Sequence, residues 1–381
     1  MAKVALESCT SYDFEKVDEA VSKCISYLGG ISSYISKGEK VVLKVNLLRA
    51  SKPEKAVITH PVILEAVIKQ VQKAGGLPII ADSPGGAFTE NALRRAYKIC
   101  TYDEVAKRTG AELNYDTRFE EVEFSKGLGN GFNRNLGTKK LKIAKFVLNA
   151  DKMITLPKLK THMLMQFTGA CKVEFGLVPG YEKMALHGKY PSAASLSKVI
   201  LDIVERFPPT LSIMDAIVGM EGLGPGNGKP KRLGAVLASI SPLALDYVAM
   251  LLVRINPEST PVFQEAKLRG LPDTDFSDIE ILGKKLEDMV VDDFKSINGE
   301  GSDNSKLSAV MQALGRFAPR KPYVNSKCVG CGICKENCPN GQISIITIDN
   351  KKKAKIIHDN CIKCYCCHEL CPHDAIDLRH F

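Results

Sequence analysis

Tryptophan is absent from the 381 residues, and aromatic side chains amount to only 7%. Basic residues are not interleaved with the few aromatics, so the base-stacking platform of a single-strand nucleic-acid binder is missing. The opening residues, MAKVALESCTSYDFEKVDEA, hold no basic run followed by an apolar core, so no secretory leader is expected. The most apolar stretch, residues 234–253, is interrupted by Pro242 and Asp246. No clean run of about 20 apolar residues remains to span a bilayer. The chain also lacks the Lys-Ser/Thr ending of a phosphate-binding P-loop and the glycine spacing of a nicotinamide or flavin fingerprint.

Charge adds little. Lys and Arg exceed Asp and Glu by 52 to 43, a formal +9, and the only dense run is Lys351-Lys352-Lys353. That run reads as a solvated turn or as a docking patch for an acidic redox partner. No nucleic-acid partner and no membrane span are expected. A cytoplasmic location is expected, where thiols stay reduced.

What the chain does have is cysteine: 13 in all, nine of them between Cys328 and Cys371. Cys328, Cys331, Cys334 and Cys338 are followed by Pro339. Cys361, Cys364, Cys367 and Cys371 repeat that spacing 33 positions later and are followed by Pro372. Three thiolates on one tight loop can face three irons of a four-iron cube, and the fourth, beyond the loop, reaches the other cube. The spacing therefore predicts two [4Fe-4S] clusters. Cys328, Cys331, Cys334 and Cys371 hold one, and Cys361, Cys364, Cys367 and Cys338 hold the second. Zinc usually takes two separated pairs, which this spacing does not offer. Two oxidised clusters, each about −2 together with its four thiolates, would lower the net charge to about +5. Cys366 reads as a small buried residue beside the ligands.

Ahead of this module, strand-like and helix-like segments alternate. Strands are expected at 3–7, 40–48, 77–81, 211–218 and 235–239. Helices are expected at 13–35 with a break at Gly29-Gly30, and at 61–73, 90–98, 102–108, 196–207 and 242–255. The pattern predicts an α/β fold, a layered and mostly parallel sheet, with a small C-terminal α+β ferredoxin-like domain. The boundary falls in Ala318-Pro319-Arg320-Lys321-Pro322, giving domains 1–318 and 319–381.

Candidate chemistry in the large domain concentrates in Lys158, Lys160 and His162, continuing to Cys171 and Lys172, with Lys183 and His187 close behind. This set can hold an anion, move protons or ligate a metal, although a solvated basic loop has the same composition. Asp82-Ser83-Pro84-Gly85-Gly86 follows a strand and can serve as an anion cradle or as an ordinary turn. The glycine-rich run from Glu221 to Gly228 reads as a lid, as backbone close to a ligand, or as a flexible connection. Asp215 and Asp246 lie among apolar neighbours and need partners.

Several segments together resemble the domain-of-unknown-function family 362, in its form fused to a two-cluster ferredoxin module. They are Lys44-Val45-Asn46-Leu47, Thr59-His60-Pro61, Ala81-Asp82-Ser83, Pro157 to His162, Thr168-Gly169-Ala170, Phe175-Gly176, Glu221 to Pro225, Asp246, and Cys364 to Pro372. Where that family's pattern carries Lys-Asn, this chain has Lys172 followed by Val173. The resemblance implies an iron–sulfur protein of anaerobic metabolism, with Lys44, Asn46, Asp82, Lys158, Lys160, His162 and Lys172 meeting at one site. The expected function is electron transfer, as a ferredoxin-fed oxidoreductase acting on an anionic small molecule. The alternative is a non-catalytic carrier or reductive activator that recognises a partner protein. Lys158, Lys160, His162 and Lys172 are the candidate catalytic residues. Lys44, Asn46, Asp82 and Ser83 are candidates for binding a cofactor.

Overall fold

The computed structural model describes residues 1–124, 137–297 and 320–379. The strands, in chain order, are β1 (Ala2–Ser8), β2 (Lys40–Val45), β3 (Leu77–Ala81), β4 (Glu112–Leu113), β5 (Phe119–Glu123), β6 (Lys140–Ala144), β7 (Lys152–Leu156), β8 (Lys158–His162) and β9 (Gln166–Thr168). They continue with β10 (Leu211–Glu221), β11 (Lys229–Ser239), β12 (Ile279–Gly283), β13 (Lys321–Val324), β14 (Ile343–Ile348), β15 (Lys351–Ile356) and β16 (Ile376–Arg379).

One ten-stranded sheet carries the large domain, in the order β12-β1-β11-β10-β7-β2-β3-β4, with β8 and β9 branching from β10. The pairs from β10 through β7, β2 and β3 to β4 are parallel, as is β1 with β12. Strand β11 is antiparallel to both of its neighbours. The sheet is thus mixed and mostly parallel, and the architecture is α/β. Its two faces follow from side-chain alternation: Val4 and Leu6 enter one core cluster, and Ala5 between them enters the other. Helices Phe14–Tyr27, Pro61–Lys73 and Glu90–Ile99 cover one face, and Ala193–Arg206 and Pro242–Leu252 cover the other. Helix Pro61–Lys73 starts with proline at its first position and is capped by His60, whose ring nitrogen accepts from Val62 N at 3.3 Å.

Three details differ from the sequence reading. The first helix ends at Tyr27, and only a short 3-10 turn at Ile31–Ser33 follows the glycine pair. Strands β10 and β11 are each 11 residues long and form a hairpin. The glycine-rich run between them is therefore a hairpin loop, held in place by packing described below. Third, Pro157 cannot donate to the ladder, so it splits one extended segment into β7 and β8. Long β10 bridges both, pairing Leu211 with Ile154 and Asp215 with Lys158.

Residues 320–379 form two small two-stranded sheets, β13 with β16 and β14 with β15, and two one-turn helices at Ile333–Glu336 and Cys366–Glu369. The expected boundary at 318/319 lies outside the described residues. Among the described residues, no helix is long and apolar enough to cross a membrane.

Candidate functional site

The carboxyl ends of β2, β3 and β8 converge, which is where ligands bind in open α/β sheets. Lys44 near the end of β2, Asp82 and Ser83 just after β3, and Lys160 and His162 in β8 all line one cavity there. Asn46, Lys172, Lys183 and His187 line it too, as do Glu369 and Leu370 from the C-terminal segment. The cavity encloses about 620 Å3 of space between atoms, part of it open to solvent.

The wall is organised around Asp82. Its Oδ1 lies 2.6 Å from Lys44 Nζ and accepts from Ser83 N, and its Oδ2 accepts from Leu47 N at 2.7 Å. Gly176 leaves room for this pair. A Cβ would stand 2.5 Å from both Asp82 Oδ1 and Lys44 Nζ. Ser83 Oγ accepts from Gly180 N at 2.8 Å and from Lys183 Nζ at 3.0 Å, and Lys183 also donates to the Ser83 carbonyl. Lys160 Nζ donates to the Val57 carbonyl at 2.8 Å.

Lys172 is different. Among the described residues its Nζ makes no hydrogen bond or ion pair, and it sits 4.8 Å over the Phe175 ring. The same ring meets His187 edge-on at 5.9 Å. Burial lowers the proton affinity of Lys160, His162, Lys183 and His187, and of Lys172 itself, and the Lys172 charge adds to the lowering in the other four. Burial is the larger cause in each case. It brings Lys160 and Lys183 down to about 7 and His187 to about 3. Four lysines against two carboxylates leave a cavity that favours an anion.

His162 is fixed by its neighbours. Its Nδ1 accepts from Leu164 N at 3.2 Å and Met165 N at 3.3 Å, so the proton sits on Nε2. Nε2 faces Glu369 Oε1 at 3.6 Å, and that oxygen is buried with no hydrogen-bond partner among the described residues. Burial holds His162 neutral, well below its ordinary range. Both carboxylate oxygens of Glu174 are also buried without hydrogen-bond partners among the described residues, and burial keeps this acid protonated.

Lys158 does not line the cavity. Its Nζ lies 2.8 Å from both Asp215 Oδ2 and the Tyr12 hydroxyl, and that hydroxyl donates to Asp215 Oδ1 at 2.8 Å. The His60 ring stacks on Tyr12 at 3.5 Å, and His60 N donates to Asp215. Lys158, Lys160 and His162 share one face of β8 because they alternate. Each step of two residues moves about 6.6 Å along the strand, which carries Lys158 away from the cavity. Asp246 also has a structural post, accepting from Ala170 N at 2.6 Å and Cys171 N at 2.9 Å as the cap of helix Ala170–Val173. Cys171 is buried and does not line the cavity, and burial raises its thiol far above the ordinary range.

The cysteines of the C-terminal segment line two further cavities. Cys328, Cys331, Cys334 and Cys371 wall the first, about 330 Å3, and Cys338, Cys361, Cys364 and Cys367 wall the second, about 380 Å3. All of these cysteines are free thiols. Backbone N–H groups of Ala354, Gln342 and Ala375 donate to the sulfurs of Cys328, Cys338 and Cys371 at 3.2–3.3 Å. Four converging sulfurs with N–H donors aimed at them suit an iron–sulfur cluster, whose potential such bonds tune.

The cysteine segment docks against the lysine cavity. Arg49 donates to the carbonyls of Glu369 and Gly226 at 3.2 and 2.9 Å, and Asn227 Nδ2 donates to the His368 carbonyl at 2.6 Å. The β10–β11 loop is thereby clamped, and Gly226 lies so close to the Glu369 carbonyl that a Cβ would not fit. Met184 and Leu370, both lining the lysine cavity, pack with Cys364 and Cys366. The second cysteine cavity thus abuts the lysine cavity through one layer of side chains. Glu369 and Leu370 were not candidates from sequence. They sit inside Cys364 to Pro372, a run that entered the sequence reading for its sulfurs and its family resemblance, and the local signal for a site residue was a carboxylate among cysteines.

Fold and site together define an α/β domain joined to an iron–sulfur cluster-binding domain. Residues 41–250 match the family described as Domain of unknown function (DUF362), and residues 323–378 match a 4Fe-4S dicluster domain. The chain belongs to the first of these families and carries the second as its C-terminal part. It is 30% identical over 298 residues to a thylakoid-associated protein of Synechocystis sp. (strain ATCC 27184 / PCC 6803 / Kazusa), covering 77% of this chain and 87% of that protein. Among solved structures, it is similar to the lactate racemase apoprotein from Thermoanaerobacterium thermosaccharolyticum, with TM-score 0.41 and 13% identity. That match covers 67% of this chain, which spans 58% of the racemase.

Proposed function

We propose that the protein is a cytoplasmic reductase in which single electrons pass through two [4Fe-4S] clusters into the lysine-lined cavity and reduce a small organic anion held there. Bound clusters supply one-electron transfer, drawn from an external one-electron donor. Cys328, Cys331, Cys334 and Cys371 hold the outer cluster, and Cys338, Cys361, Cys364 and Cys367 hold the one beside the cavity. The two-part division of the chain near residue 318 belongs to this reading. The observation that carries it is the shared wall: Glu369 and Leu370, flanked by cluster ligands, close the same cavity as Lys44, Lys160, Lys172 and His162.

Within it, Lys172 is the cation free to meet the anion, because Lys44, Lys160 and Lys183 are already tied to Asp82, Val57 and Ser83. A proton must follow the electrons. His162 is poorly suited to give it, since losing the Nε2 proton would leave an imidazolate while Nδ1 is engaged by backbone. It serves instead as a fixed hydrogen-bond donor. Lys160, brought to about 7, is the better acid at neutral pH. Lys158 is excluded from the chemistry and acts as a structural tie.

The test is a single-turnover screen. Anoxic holoprotein is reduced with dithionite, freed of excess, and mixed with a panel of carboxylates, dicarboxylates and phosphate esters while the visible spectrum is followed. The reading expects at least one compound to reoxidise the protein and Lys172→Gln to abolish that with the resting spectrum intact. If no panel member accelerates reoxidation, and a partner protein binds with undiminished affinity to the Lys172→Gln variant, the chain is an electron carrier rather than a reductase.

A further inference from the structure

The two cysteine cavities are not equivalent in their surroundings. The second is packed behind Met184 and Leu370 against the large domain. The first opens outward: Cys331 is exposed, and the neighbouring Val329 is 56% exposed, unusual for an apolar side chain beside a buried centre. The β14–β15 hairpin covers both cavities: Ile343 and Ile356 at its base line the second, and the next inward pair lines the first. Its register pairs Ile345 with Ala354, and both line the first cavity, so that face of the hairpin points inward.

Alternation then puts Lys351, Lys353 and Lys355 together on the outward face, opposite Ile348, Ile346 and Ser344. Lys352 is on the inward face and lies against Gly330 of the cysteine loop. Lys327 and Lys335 are exposed on either side of that loop. None of these six lysines makes an ion pair among the described residues. In the large domain some exposed lysines, such as Lys23, Lys140 and Lys267, are paired with Glu19, Glu121 and Glu258, and others, such as Lys73, Lys98 and Lys107, are not paired among the described residues, so it is the clustering of the six that sets this surface apart. The carboxylates close in sequence are Asp349 at the hairpin turn, Asp359 after β15 and Glu336 beside Lys335, all exposed, and Glu336 accepts from the Tyr181 hydroxyl at 3.2 Å. From 320 to 379 there are ten Lys or Arg against six Asp or Glu, so two bound clusters would leave the module about neutral overall, with its positive charge local to this lysine face.

We infer that this lysine-bearing end of the C-terminal domain, centred on the outward face of β14–β15 and the exposed Cys331 loop, docks an acidic one-electron carrier protein. The first cysteine cavity is therefore the entrance of the relay, and the second, against the lysine cavity, its exit. A field of one sign steers an oppositely charged partner, and the exposed apolar Val329 and Ile348 supply contact area within it. Position selects a carrier over other anionic surfaces, because Lys327, Lys335 and Lys352 flank the loop that holds Cys331, the one exposed cluster ligand. In each encounter one electron leaves the carrier's cofactor and enters the first cavity's cluster, and no proton or covalent bond is exchanged. This inference needs the cluster sites but not the substrate reading above.

The test is equilibrium binding of an oxidised, acidic flavodoxin to anoxic holoprotein by calorimetry, at several salt concentrations. Three proteins are compared: the natural chain, the Lys351→Glu, Lys353→Glu, Lys355→Glu triple variant, and a control triple reversal at exposed Lys73, Lys98 and Lys107. Binding should weaken about tenfold or more in the hairpin variant at low salt, the difference shrinking as salt rises, with the control unchanged. Iron content checks integrity. Should the reversal cost iron, the Gln triple variant replaces it, with a smaller loss in the same direction. The inference is overturned if hairpin and control variants bind alike. It is also overturned if flavodoxin does not bind while vesicles containing phosphatidylglycerol do, since the patch would then be a lipid-facing surface.

Discussion

Lys158 and Lys172 carry the same charge in the same sequence neighbourhood, and the structure gives them opposite consequences. The Lys158–Asp215 pair is a 2.8 Å contact between side chains 1% and 0% exposed. Removing one member of such a pair typically costs about 3–5 kcal/mol, because the other charge stays buried. In Lys158→Met, Asp215 keeps the Tyr12 hydroxyl and the His60 backbone N–H as donors. The expected loss is therefore near the lower end, about 3 kcal/mol. Removing both charges in Lys158→Met, Asp215→Leu should recover most of it, although the Tyr12 hydroxyl then loses an acceptor. Lys172→Met deletes a desolvated cation with no counter-ion, so it should leave stability unchanged or slightly raised while abolishing anion binding. Equilibrium urea unfolding followed by far-UV circular dichroism measures the first quantity, since there is no tryptophan to report. Calorimetric phosphate binding measures the second. The reasoning fails if Lys158→Met unfolds within 1 kcal/mol of the natural chain and loses phosphate binding, because Lys158 would then be a site residue.

Lys160 and Lys183, lowered to about 7 by burial, give a pH signature. Between about 7 and the ordinary lysine value near 10.4 the unfolded chain binds more protons than the folded one, so their contribution to stability rises with pH across that window. An anion that needs them charged must then take up protons when it binds. Sulfate titrations at pH 8 in buffers of different ionisation enthalpy should show net proton uptake, and a zero value would remove these lysines from the anion site. Gly176→Ala should push Lys44 and Asp82 apart and weaken anion binding with the iron content preserved, whereas normal binding would mean the pair is not part of the wall. Gly226→Ala should loosen the docked C-terminal domain, seen as faster proteolysis near residue 320 and slower substrate-dependent reoxidation. Unchanged rates on both counts would show that the Gly226–Glu369 approach is not a required contact.

The parts of this protein that could be read from sequence are those whose physics is local. Cysteine spacing fixes which sulfurs can reach one centre, and the two cavities partition Cys371 and Cys338 crosswise, as that spacing requires. Proline at the first turn and a glycine pair after the end delimited helix Pro61–Lys73. Lys158, Lys160 and His162 were grouped by closeness in sequence, as a segment following a strand; they are alternate residues of a strand themselves, and the steps along it carry Lys158 away from a cavity that the other two line. The β10–β11 loop looked like a free glycine run because its partners, Glu369 and His368, are about 140 residues away. Glu369 itself was hidden for the same reason, since its neighbours in the cavity come from β8 and the Lys172 turn.

The account stands or falls on the anion lying beside the cluster held by Cys338, Cys361, Cys364 and Cys367. Phosphorus electron–nuclear double resonance on the dithionite-reduced holoprotein with bound inorganic phosphate addresses that directly. A resolved coupling to the reduced cluster, lost in Lys172→Gln, is the predicted result. Phosphate that binds with undiminished affinity yet shows no coupling would place it elsewhere and contradict the shared cavity as the site of reduction.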